Sequence, residues 1–150
     1  MADTALQAAY SAIYTKLQGA TIAGTRVYPD IADDEATYPY IVYFWAGGGE
    51  SNQRRTHDAN LTIAVKVVST NLHTSFTGAA QVIALLNNQG TQDIVPATGA
   101  YVTSPLNGGT SWDIKTSTQE DVFHFTELIE QTSETVYHDG AYYRLIMEAL

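Results

Sequence analysis

Cysteine is absent from all 150 residues. That excludes disulfides, thiolate metal sites and a cysteine nucleophile. Cations are scarce: seven Lys and Arg stand against 16 Asp and Glu, a formal net charge of −9. Affinity for nucleic acid comes largely from neutralising phosphates, so this surface is not built to grip DNA. Long apolar runs are missing as well. The longest, Tyr40–Ala46, is far short of a membrane span, and no membrane partner is expected. Met1-Ala2-Asp3-Thr4 lacks the basic and apolar regions of a signal peptide.

Catalytic signatures are lacking too. Gly-x-Ser-x-Gly does not occur. Gly47-Gly48-Gly49 has neither the third glycine of a dinucleotide fingerprint nor a following Lys-Ser/Thr, so it reads as a flexible loop. The histidines, His57, His73, His124 and His138, are not paired at helical ligand spacing, and His-Glu-x-x-His is absent. Asp30, Asp33, Asp34 and Glu35 form the densest acidic cluster. It lacks EF-hand spacing and a central glycine, and a solvated loop is the plainer reading. Glu127 and Glu130 lie three apart, which in a strand sends them to opposite faces. The chain is therefore expected to have no catalytic residue, no metal and no cofactor.

What is present is a compact structural pattern. Hydrophobic residues make up 45% of the chain, enough for a real core in one domain of this size. Thr4-x-x-Gln7 matches a capping box, and Leu6, Tyr10, Ile13 and Leu17 follow at helical spacing, predicting a helix over Ala5–Leu17 that stops at Gly19. Arg26–Tyr28 reads as a short strand ended by Pro29, then an acidic loop over Asp30–Thr37, then a strand over Tyr40–Trp45 ended by the glycines. Gly47–Asn60 reads as a long hairpin loop or an arm. Leu61–Ser69 alternates apolar and other residues as a strand with one face on a core. Ser75–Asn88 reads as a second helix with Phe76, Ala79, Ile83 and Leu86 as its stripe. Short strands are expected at Ile94-Val95, Tyr101–Leu106 and Trp112–Lys115, with a longer one over Phe123–Ile129. His138-Asp139-Gly140 reads as a hairpin turn returning through Ala141–Met147.

Strands and helices in this order imply an α+β fold, with two main helices packed on one face of an antiparallel sheet of about four to six strands. Two features suit contacts. Tyr28, Tyr38, Tyr40 and Tyr43 crowd one region, fitting either an interface or packing within the monomer. Arg54-Arg55 is the only basic pair; it fits a solvated loop, or a bidentate contact with a neighbouring subunit's acidic loop, including Asp33 and Asp34.

The N-terminal helix, Arg26-Val27-Tyr28-Pro29, Tyr38-Pro39-Tyr40-Ile41-Val42-Tyr43, the Leu61–Ser69 strand and the Ser75–Asn88 helix together resemble the tail-completion, or tail-terminator, family of long-tailed bacteriophages. The resemblance covers about residues 4–88. Residues around Tyr137–Tyr142 look like the family's last hairpin, while 90–118 match poorly and are expected to hold an insertion within a single 1–150 domain. The resemblance implies a virion protein assembled in the host cytoplasm. Its subunits form a ring, commonly a hexamer, that caps the head-proximal end of the tail tube, meets the major tail-tube protein and the head connector, and lets DNA pass through its lumen without specific binding. It carries no catalytic residue over. Rival readings are a head-closure adaptor, a tail-tube subunit, a small metal-dependent hydrolase using Asp30, Asp33 or His57, and a single-strand nucleic-acid binder using the tyrosines.

Overall fold

A computed structural model describes residues 4–51, 58–87, 93–94, 101–102, 106 and 108–150. Helix α1 spans Ala5–Leu17, as its capping box predicts: Thr4 accepts from the Gln7 N–H, and the Gln7 side chain accepts from the Thr4 N–H. The buried stripe is mostly alanine, Ala5, Ala8, Ala9 and Ala12, with Ile13 and Leu17. Small side chains let the helix sit close to the sheet, and Leu6 and Tyr10 are pushed to its margin.

Strands β1 (Val27–Pro29), β2 (Tyr40–Ser51), β3 (Asp58–Ser69), β6 (Trp112–Ile129) and β7 (Glu134–Ala149) form one sheet in the order β1-β2-β3-β7-β6. All its pairings are antiparallel except β1 with β2. A parallel pair needs a crossover rather than a tight turn, and residues 30–39 supply it. β4 (Asp93–Ile94) and β5 (Tyr101–Val102) pair separately, and the expected short strands at 95 and 103–105 fall outside the described residues. Residues 112–118 run in the main sheet as the start of β6.

Three sequence readings need correction. The triple glycine does not end a strand. β2 runs through it to Ser51, with a bulge between Trp45 and Gly47. Gly48 has φ +80°, and a Cβ there would meet the Asn60 carbonyl oxygen at 1.9 Å, so glycine lets β2 and β3 stay paired. Second, Asp139-Gly140 is not a turn but the middle of β7, where Gly140 faces Lys66 on one side and Phe123 on the other. The chain reverses after Ile129 instead, with Ser133 at φ +53°. Third, helix α2 spans Leu72–Leu86, capped by Asn71, whose Oδ1 accepts from the Thr74 N–H. Its buried residues are Ser75, Gly78, Val82 and Leu86, so the stripe sits around from the predicted one and Phe76 is left 50% exposed.

Both helices cover the same sheet face. Ile41 and Tyr43 of β2, Ile63, Val65 and Val67 of β3, and Tyr143, Leu145 and Met147 of β7 point into that core. Strand periodicity sends their neighbours to the opposite face.

Candidate interaction surface

The face away from the helices is built from alternate residues: Tyr28 on β1, Tyr40, Val42 and Phe44 on β2, Lys66 and Val68 on β3, His138 and Tyr142 on β7, and Phe123 and Phe125 on β6. Its aromatic side chains hold one another. Tyr28 meets Tyr40 edge-on at 6.1 Å between centroids, and Tyr40 stacks with Tyr38 at 5.5 Å. Across the sheet Phe125 stacks on His138 at 4.2 Å, and Phe123 packs on Tyr142 at 5.3 Å. The Lys66 ammonium lies 5.4 Å from the centre of the Phe125 ring, a cation–π position. Burial lowers the Lys66 pKa, with Glu127 opposing. Burial likewise holds His138 below the usual histidine range, with Lys66 nearby adding to the effect and Glu127 and Asp139 opposing it. His138 is only 7% exposed, and neither ring nitrogen has a hydrogen-bond partner among the described residues.

At the β1 end of this face lies a groove of about 260 Å³. Tyr40, Val42, Phe44 and Val68 line it, Lys66 contributes at one side, and the 30–34 crossover overhangs it with Asp30, Asp33 and Asp34. Asp30 is already engaged, accepting from the Tyr10 hydroxyl at 2.6 Å. That hydroxyl also accepts from the Trp45 N–H at 2.8 Å, tying α1, the crossover and the β2 bulge together. Burial first, then the bond to Asp30, pushes the Tyr10 pKa up to about 12. Asp33 and Asp34 are exposed, and neither carboxylate has a partner among the described residues.

Of the candidate residues from sequence, Tyr28 and Tyr40 share the open face, and Asp33 and Asp34 rim its groove. Tyr43 is on the other side of β2, 2% exposed, in edge contact with Tyr10 and donating to the Tyr10 carbonyl. Burial drives its pKa up to about 12 as well. Its ring belongs to the core on the helix side, apart from Tyr28 and Tyr40. Arg54, Arg55 and His57 lie outside the described residues.

On the helix side, Ser75 and His124 both hydrogen-bond the carboxylate of Asp139, which is 4% exposed; the His124 Nδ1 contact is 2.5 Å. Serine, aspartate and histidine here are not arranged for nucleophilic catalysis. In a triad the histidine touches the serine and the carboxylate stands behind it. Here the carboxylate stands between them and fastens α2 to the β6–β7 ladder. Spacing hid this cluster, because its members come from three elements. Among the described residues, no three His, Cys, Asp or Glu side chains are grouped to hold a metal ion, and no helix is long and apolar enough to cross a membrane.

No family model matches the chain, and no curated protein does. Among solved structures, the chain is similar to one in the virion of a native gene transfer agent particle. The TM-score is 0.65 at 14% identity, over 98% of this chain and 99% of that one. At that identity the likeness shows a shared fold, and it runs end to end in both chains.

Proposed function

We propose that this chain is a structural virion protein of a tailed phage or phage-like particle, and specifically a tail terminator. Copies form a ring, a hexamer in this reading, at the head-proximal end of the tail. The ring stops growth of the tail tube, joins it to the head connector and leaves a hole for DNA. Residues 1–150 act as one unit, assembled in the host cytoplasm and retained in the virion. No bond is broken in this role.

The observation that carries the reading is the end-to-end likeness in fold to a chain of a gene transfer agent virion. The family resemblance of Val27-Tyr28-Pro29 and Tyr38–Val42 supports the finer assignment. The physical character agrees: an open, aromatic sheet face suits contacts between proteins. An acidic chain repels a polyanion that must slide past without sticking.

The test is tube growth in the presence of the purified protein. Major tail-tube protein is polymerised with and without this chain, and tube lengths are measured by electron microscopy. The expected result is short tubes bearing this protein at one end only. Unchanged tube length with no bound protein would overturn the assignment, as would long tubes built by this chain alone.

A further inference from the structure

We propose that the acid-rimmed groove beside β2 receives the Arg54-Arg55 segment of a second copy of this chain. The inference rests on the ring reading and names the contact that would build it.

The groove offers what an arginine side chain needs. Its floor presents the aromatic rings of Tyr40 and Phe44, and its rim presents Asp33 and Asp34, exposed and without partners among the described residues. A guanidinium stacks on aromatic faces and pairs bidentately with carboxylates. The groove's own cation is drawn aside, since the Lys66 ammonium sits over Phe125. In a chain with seven Lys and Arg, Arg54-Arg55 is the only adjacent basic pair. It is flanked by Ser51 and Asp58, which are Cα partners at the far end of the β2–β3 ladder.

Geometry makes the contact intermolecular. The Tyr43 carbonyl accepts from the Asp30 N–H, so the acidic rim is anchored level with Tyr43. From Tyr43 to Ser51 the strand covers roughly 23 Å, seven ladder steps at ~3.3 Å with the bulged residue left out. Arg54 lies three peptides beyond Ser51, a reach of at most about 10 Å even folded straight back. An extended arginine side chain adds roughly 7 Å, which still leaves the guanidinium several ångströms short of that level, so the pair is out of reach of its own groove. Each copy carries one groove at one end of β2 and one arginine pair at the other. A head-to-tail contact of that kind closes into a ring when its rotation divides a full turn.

Two charge-reversed variants test it: D33K/D34K and R54E/R55E, each checked by circular dichroism and thermal unfolding. Masses are read by size-exclusion chromatography with light scattering. Wild type is expected to self-associate, more weakly in high salt. Each variant alone is expected to run as a monomer. A 1:1 mixture should recover the assembly, because reversed arginines then meet reversed aspartates while the native pair meets in the alternate interface. If a lysine variant fails to fold, D33N/D34N takes its place and should weaken association without abolishing folding.

Full assembly of both variants would overturn the contact, and so would a wild type that stays monomeric at every concentration. Loss of assembly in the aspartate variant alone, with R54E/R55E unaffected, would overturn it too and point to a different basic group of this chain. None of these outcomes decides whether tube growth stops, so the terminator reading stands or falls separately.

Discussion

At the residue scale, two adjacent residues of β7 show how local signals are overridden. Asp139-Gly140 has the composition of a tight turn, yet the dipeptide is held extended between two strands. A Cβ on Gly140 would lie 2.4 Å from the Val65 carbonyl oxygen and 2.6 Å from the Phe123 ring. The glycine is there for close approach, and the aspartate is caught by Ser75 and His124. Gly140→Ala should therefore destabilise the fold by about 1–3 kcal/mol, the usual cost of overpacking. A urea midpoint unchanged from wild type would refute this. His138 yields a pH prediction. Its folded pKa is lowered, so the unfolded chain takes up a proton near pH ~6.5 that the folded chain refuses until the pH is lower. Stability is whole above that value and declines as pH falls through it toward the folded pKa. His138→Phe, which keeps a ring against Phe125, should flatten the difference in urea midpoint between pH 7 and pH 5. An unaltered difference would show that other groups set it.

At the scale of elements, what was legible followed clean periodicity and clear caps. α1 begins and ends where Thr4, Gln7 and helical spacing place it, and β3 follows its alternation. The β6 strand was harder. Lys115–Asp121 is polar throughout, and bulges between Ile114 and Thr116 and between Gln119 and Val122 break the two-residue period. One long strand thus read as two short pieces with a gap. Helix α2 starts at Leu72, ahead of the Ser75 start read from its apolar stripe, because Asn71 supplies the N-cap; Ser75 lies inside the helix and is spent on Asp139. Asn71→Ala should cost about 1 kcal/mol, as loss of an N-cap does. A change in thermal midpoint no larger than that of Asn60→Ala, at an exposed strand position, would contradict the assignment. The groove was only half visible in sequence. The acidic cluster and the crowded tyrosines were both apparent, but the crossover that lays one over the other depends on a parallel β1–β2 pairing that no local pattern encodes.

At the scale of the molecule, helices cover one side of the sheet, leaving the far half of β6 exposed at Val122 and Leu128, and the other side is an aromatic face with a charged groove at its edge. That asymmetry is what a subunit needs if it is to fold alone and then close on copies of itself. The net charge of −9 adds an expectation of its own: linear duplex DNA should show no retention by the protein at physiological salt in a gel-shift assay. Tight, salt-sensitive binding would mean that basic surface is concentrated where the account places none. Whether the chain works by closing into a collar is read from negative-stain imaging of the purified protein together with tail-tube subunits. Closed rings with a central opening, free or seated on one end of a tube, are expected. Fields showing only single-chain particles and bare tube ends would contradict it.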